Sequence, residues 1–280
     1  MIYDGKKASL LLQNELRAHT ALLPHKPVLA VLSVSSHPSI ASFIKIKRKF
    51  AEAIGVIVKE YNFSESDGEE SLIKKIQMLV ESNVCDGIIV QLPLPKTFDT
   101  NRILDTIPEN LDTDVLGFSA WNKFMTNTKP VPPVAGAIAH ILDDTKTNLT
   151  HKKVVIIGYG KLVGQPLLEW FIQEGCKPEL VTIDTSEETQ KELYREADIV
   201  VSGIGSPHHL KKEFFKEGVI LIDAGTSEQA GVLAGDCDPE CRDKASVFTP
   251  VPGGVGPLTV AFLFKNLITS VENSTINIKL

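Results

Sequence analysis

The chain has 280 residues, 43% of them apolar and 23% charged, an ordinary globular composition with the length for two modest domains. Its 29 basic and 35 acidic side chains leave a net charge of -6, which argues against a nucleic-acid or anionic-membrane partner, since both select basic surfaces. The opening MIYDGKKASLLLQNELRAHT is too polar for a signal peptide, no apolar run approaches the roughly 18 residues of a membrane helix, and four cysteines do not make a disulfide framework. The expectation is a cytoplasmic protein acting on a small molecule.

In chain order, short β-branched runs alternate with longer amphipathic stretches, the pattern of an α/β protein with mainly parallel sheets. The first half offers strands at PVLAVLSV (27–34), GVIVKEY (55–61) and DGIIVQL (86–92). Between them, residues 39–55 and 68–83 carry apolar side chains at helical spacing. After a Pro-rich joint, NTKPVPPVAGA (127–137), the alternation restarts with KKVVIIG (152–158), PELVTID (178–184), ADIVVSG (197–203) and GVILIDAG (218–225). Residues 257–271 read as a final helix after a Gly/Pro loop, and its return to the first half would make that domain discontinuous.

VVIIGYGKLVGQP (154–166) is a buried-type strand running into glycines and then an amphipathic helix. Gly158, Gly160 and Gly164 are spaced one residue wider than the usual G-x-G-x-x-G. Glycines there permit a tight turn and close approach of a pyrophosphate, whose charge the helix N-terminus meets. Three further strands follow, so the reading is a dinucleotide site. Asp184, 20 residues beyond Gly164, is placed to bond the adenosine ribose and repel a 2′-phosphate, or alternatively to cap the next helix. Ser202, Gly203 and Gly205 close the third strand, where a cofactor edge is expected to lie.

DGIIVQLPLP (86–95) ends in a glutamine and a stiff proline loop, and FTPVPGGVGPLTVAFLFKN (248–266) sets prolines and glycines before a helix. Taken alone, these are turn chemistry. Together, VQLPLP and TPVPGGVGP resemble the bifunctional methylenetetrahydrofolate dehydrogenase/methenyltetrahydrofolate cyclohydrolases, and the likeness runs over nearly the whole chain, through VGxP, IDAG and GD. The resemblance implies two α/β domains, an N-terminal catalytic domain and a Rossmann-type dinucleotide-binding domain, facing each other across a cleft. It assigns 1–127 plus 265–280 to the folate-binding domain and 128–264 to the dinucleotide-binding domain, in a chain that pairs as a homodimer. It also implies oxidation of 5,10-methylenetetrahydrofolate with a nicotinamide cofactor and hydrolysis of the methenyl product to 10-formyltetrahydrofolate.

The family's catalytic helix carries a tyrosine and, four residues on, a lysine; here these are Phe43 and Lys47. Residues four apart share a helix face. The resemblance places the strand glutamine at Gln91 and the folate-binding aspartate at Asp114, where the glycine that usually follows is Val115. Pro252, Gly253 and Gly254 fall in its substrate loop, and Thr226 at the nicotinamide end. A lysine beside a glutamine and away from water shuttles protons, and a carboxylate can take two hydrogen bonds from a pterin edge. The plainer readings are a solvated basic run, KIKRK, for Lys47 and a loop cap for Asp114.

The family's Gly-Arg-Ser cofactor loop reads Gly158-Tyr159-Gly160 here, without the arginine and serine that would hold a 2′-phosphate, so NAD is expected over NADP. With Phe43 for tyrosine, the dehydrogenase step is expected to persist and the cyclohydrolase step to be weak or absent. Cys237 and Cys241, in GDCDPECRD, have no histidine close in sequence and read as incidental thiols rather than metal ligands. A Tyr-x-x-x-Lys short-chain dehydrogenase is set aside, because its pair follows the glycine loop and this one precedes it. A catalytically silent folate- or nucleotide-binding homologue stands as the alternative.

Overall fold

The computed structural model describes residues 1–34, 38–126, 130–229 and 232–278. Its elements begin with α1 (Gly5–Thr20), β1 (Val28–Val34), α2 (Pro38–Ile54), β2 (Ile57–Phe63), α3 (Glu69–Ser82), β3 (Gly87–Gln91), α4 (Thr100–Leu104) and α5 (Phe118–Met125). They continue with α6 (Pro133–Asp144), β4 (Val154–Ile157), α7 (Gly164–Gln173), β5 (Glu179–Val181), α8 (Glu187–Glu196), β6 (Ile199–Ser202), β7 (Val219–Asp223), β8 (Ser227–Gln229), β9 (Val232–Ala234), β10 (Ala245–Phe248) and α9 (Val255–Ile278). The chain divides into two compact α/β units.

One unit comprises Leu10–Pro133 and Val260–Leu280. Its sheet has the order β2-β1-β3, all parallel, with Ser33 opposite Gln91. Central β1 is covered on both faces, and the two-residue period of a strand sorts its side chains. Leu29 and Val31 join Leu12 and Leu16 of α1, Ile44 and Ile54 of α2, and Phe264 and Leu267 of α9. Ala30, Leu32 and Val34 face the other way, onto Leu72 and Ile76 of α3 and Ile103 and Leu104 of α4. The outer edge of β3 is covered by the chain after α4, where the Ile88 amide donates to the Leu111 carbonyl at 2.7 Å.

Helix α2 shows why this unit holds Lys47 inward. Ile40, Ile44, Ala51 and Ile54 are buried, while Lys45, Arg48 and Lys49 are exposed. Lys47 lies three residues from Ile44 and four from Ala51, so it occupies the same inward stripe. The basic run is therefore a solvated face except at the one lysine that shares the core's spacing.

The other unit comprises Met1–Ser9 and Val134–Thr259. Its parallel sheet has the order β10-β7-β6-β4-β5, with β4 and β6 wholly buried. By contact, the first nine residues group with this unit. The Tyr3 amide donates to the Phe248 carbonyl at 2.8 Å and the Phe248 amide to the Met1 carbonyl at 2.9 Å, so the chain start extends the sheet beside β10. The expected boundary at 127 lies outside the described residues.

The expected strands and helices form within a few residues of their predicted places, except that α9 runs seven residues past 271 and one strand stops short. PELVTID contributes only Glu179–Val181 to β5, because the Thr182 amide donates to Thr185 Oγ1 at 3.0 Å and turns the chain away. Ile183 is left 97% exposed. Strand β10 and the β8–β9 hairpin were not expected. No described helix is long and apolar enough to cross a membrane.

Candidate active site

In the β2-β1-β3 unit, Lys47 Nζ donates to Gln91 Oε1 at 2.6 Å, and Gln91 Nε2 donates to the Leu92 carbonyl at 2.9 Å. The glutamine is thus oriented from its own strand end, with its oxygen turned to the amine. Burial pulls the Lys47 amine below its ordinary range, with the charge of Asp114 opposing. Burial likewise pushes the Asp114 carboxyl above its ordinary range, with the charge of Lys47 opposing. Each group is therefore more easily neutralised than in water. Phe43 stands one turn before Lys47, partly exposed. The structure thus brings Lys47, Gln91 and Asp114 into one electrostatically linked group.

Asp114 sits in a short, heavily braced loop. Asp112, 3% exposed, accepts from the amides of Val115 at 2.9 Å, Leu116 at 2.9 Å and Gly117 at 2.8 Å. Val115 has φ +58° and is fully buried. That left-handed conformation costs a β-branched residue about 1–3 kcal/mol, which gives a physical reason for glycine at this position.

In the other unit, the glycine turn follows β4 where neighbouring strands leave in opposite directions, the usual ligand position of an open parallel sheet. Gly158 has φ +92°, and a Cβ on Gly164 would lie 2.0 Å from the Gly158 carbonyl oxygen. Only bare backbone lets α7 start so close to the strand. A Cβ on Gly203 would lie 2.5 Å from Val163, so the β6 end also needs glycine. Gly160 has open space around it, Tyr159 is half-exposed, and Asp184 is exposed in the turn after β5 rather than at the end of the strand.

Ser202, expected to touch the cofactor, is fully buried and donates to Asp236 Oδ2 at 2.7 Å. Its hydroxyl is directed to that carboxylate. Asp236 also accepts from the amides of Ile204 at 2.9 Å and Ser206 at 2.8 Å, so it holds the loop that Ser202 opens. Asp223 repeats the device, accepting from the amides of Gly225 at 3.0 Å, Asp236 at 3.1 Å and Cys237 at 2.8 Å. Burial pushes its carboxyl up to about 6. The bracing roles of Asp112, Asp223 and Asp236 are not visible in the sequence. The GD and IDAG strings contain two of them, but nothing in the strings says that the side chains turn inward.

Thr226 is exposed. In the proline–glycine loop, the Gly254 amide donates to the Pro250 carbonyl at 2.7 Å, Gly253 has φ +114°, and Pro252 is exposed. Cys237 and Cys241 lie in the apolar core with Val155, Phe215 and Leu221. Among the described residues no cluster of three metal-ligating side chains occurs. A depression of about 1100 Å³, lined by His151, Trp170, Cys176 and Glu196, opens near the starts of β4 and β5 and includes none of the expected site residues.

A glycine turn at the switch point of a parallel sheet, together with a second α/β unit holding a lysine–glutamine pair, defines a dinucleotide-dependent α/β enzyme of two units. Residues 3–114 match the catalytic-domain model of tetrahydrofolate dehydrogenase/cyclohydrolase, and residues 132–275 match its NAD(P)-binding domain. The chain belongs to that family. It is 34% identical over 277 residues, 97% of each chain, to the bifunctional protein FolD of Caldanaerobacter subterraneus. Among solved structures, FolD from Campylobacter jejuni is 30% identical with a TM-score of 0.92, covering 98% of this chain and 99% of that one. The Trypanosoma brucei enzyme, solved with NADP and an inhibitor, is 30% identical with a TM-score of 0.93, covering 98% of each.

Proposed function

We infer that the chain is an NAD(P)-dependent 5,10-methylenetetrahydrofolate dehydrogenase that also hydrolyses the methenyl product to 10-formyltetrahydrofolate. The observation that carries the reading is the 2.6 Å contact between a partly buried, pKa-lowered Lys47 and Gln91. The bifunctional names of the relatives support both steps. A nicotinamide cofactor, when bound at the glycine turn, would supply the hydride acceptor. Lys47 steadies and moves protons as water meets the methenyl carbon, and Gln91 fixes where the amine points. Asp114 accepts hydrogen bonds from the pterin, and Phe43 offers a ring for the flat aminobenzoyl group. The backbone of Pro252, Gly253 and Gly254 lines the substrate.

Gly158, Tyr159, Gly160, Gly164, Gly203 and Thr226 serve the cofactor, and we read NAD as preferred over NADP. Exposed Asp184 and a turn without arginine support this, since a carboxylate near a 2′-phosphate costs roughly 1–3 kcal/mol, or about 5- to 150-fold in affinity. The chain is further read as a cytoplasmic homodimer, which sedimentation in solution checks. The deciding experiment is a spectrophotometric assay with methylenetetrahydrofolate and each nicotinamide cofactor. Reduction of NAD at the lower half-saturating concentration is expected. No reduction of either cofactor refutes the enzyme reading and leaves the silent homologue, while a clear NADP preference refutes the role of Asp184.

A further inference from the structure

Asp114 has a carboxylate that takes no hydrogen bond from the described residues, yet the backbone on both sides of it is held tightly. After it, the three amides of Val115, Leu116 and Gly117 converge on Asp112. Gly117 is part of the fit: a Cβ there would lie 2.7 Å from the Leu104 carbonyl oxygen and 3.2 Å from Asp112 Oδ2. Before it, the Thr113 carbonyl accepts from Asn266 Nδ2 at 3.0 Å, and the same nitrogen donates to the Val131 carbonyl at 2.8 Å. Both hydrogens of that amide are thereby used. Asn266 sits on α9, 153 residues away in sequence from Thr113.

The loop also carries two unfavourable features that a purely structural connection has no reason to keep. Val115 is left-handed while fully buried, and Thr113 Oγ1 is buried without a hydrogen-bond partner. The Thr113 methyl lies 2.6 Å from where a Cβ on Gly87 would stand, so the close approach also depends on that glycine. Strain of this kind persists only where surrounding contacts over-determine the backbone, and it collects at binding sites. The clamps on either side supply that over-determination.

We propose that Asp112 and Asn266 are positioning residues for folate recognition: they fix the peptide units flanking Asp114 so that its carboxylate is held ready for the substrate's paired donors. This rests on the reading of Asp114 as the pterin-binding carboxylate. Two simultaneous hydrogen bonds need both oxygens in place, and a carboxylate on a loose loop pays for that order when the ligand binds. Loosening either clamp therefore lowers affinity for folate. The nucleotide is bound by the other unit's glycine turn and is unaffected.

The test is a mutant cycle in the full chain, with Asp112→Asn, Asn266→Ala, Asp114→Ala and the two doubles that include Asp114→Ala. Folate KM, nucleotide KM, kcat and the urea midpoint are measured for each. Asp112→Asn sets an amide N–H against backbone N–H groups, and Asn266→Ala removes both of its bonds. Each single variant is expected to raise folate KM roughly tenfold, equivalent to about 1.4 kcal/mol, with kcat within threefold and nucleotide KM unchanged. In the Asp114→Ala background either change is expected to add less than twofold. Unchanged folate KM in the singles, or an equal rise with and without Asp114, overturns the proposal even where Asp114→Ala itself is impaired. Normal folate KM and kcat in Asp114→Ala instead overturn the underlying reading of Asp114. If Asp112→Asn does not fold, the Asn266→Ala cycle decides alone.

Discussion

Replacing Lys47 by methionine separates what the amine does for chemistry from what its stem does for the fold. Methionine has nearly the same length and remains in the inward stripe with Ile44 and Ala51, so packing is kept. Burial already disfavours the ammonium, and removing a buried charge offsets the donor lost to Gln91 Oε1, a bond worth about 1.5–3 kcal/mol to a charged group. The unfolding free energy is expected to stay within about 1 kcal/mol of wild type. Catalysis is expected to behave differently. A positioned proton-transfer group contributes roughly a hundred- to ten-thousandfold, or about 2.7–5.5 kcal/mol of barrier. Cyclohydrolase turnover, followed as decay of methenyltetrahydrofolate at its own absorbance, should fall into that range, and the dehydrogenase rate should fall strongly with it. A folded Lys47→Met protein with turnover within threefold of wild type in both reactions refutes the assignment.

Phe43→Tyr should speed methenyl hydrolysis roughly ten- to hundredfold, because a phenol one turn from Lys47 adds a hydrogen bond to a charged group; brisk wild-type hydrolysis that the change does not improve would mean Lys47 and Gln91 suffice. Gly164→Ala places a methyl 2.0 Å from a backbone oxygen, so calorimetric titration should find nucleotide affinity lowered at least tenfold while folate binding is retained, and unchanged nucleotide affinity would refute the turn as the cofactor site. Asp223 has a folded pKa of about 6 against an ordinary 3.8, so its contribution to stability is present below about pH 4 and lost as pH rises through about 6, a change of about 3 kcal/mol. In urea melts, Asp223→Asn should therefore gain on wild type by up to that amount between pH 4 and pH 7, and a flat or falling difference would contradict the sign.

Much of the fold was legible because strands β1, β3, β4 and β6 are continuous apolar runs bounded by turn residues. The short β10 was not, since four residues with polar neighbours carry no distinctive period. The end of β5 misled for the opposite reason: Ile183 fits a strand pattern, yet a side-chain hydrogen bond at Thr182 ends the strand before it. Lys47 was named through a family motif, but it could have been found from spacing alone, as the only basic residue in step with Ile40, Ile44, Ala51 and Ile54. Ser202 marks the limit of such reasoning. All four residues of β6 are buried, so no alternation tells which way the serine points. The clamps by Asp112, Asp223 and Asp236 depend on side chains meeting amides of irregular backbone, and no periodic pattern encodes that.

Because Lys47 shares a stripe with the core, α2 has no separate surfaces for folding and for chemistry. A shorter side chain at Ile44 or a larger one at Ala51 would rotate or shift the helix by a fraction of an ångström, which a hydrophobic cluster tolerates and a 2.6 Å contact does not. Repacking variants along α2 should therefore lose turnover well before they lose their melting temperature. The helix is then best treated in engineering as part of the reaction centre along its full inward face.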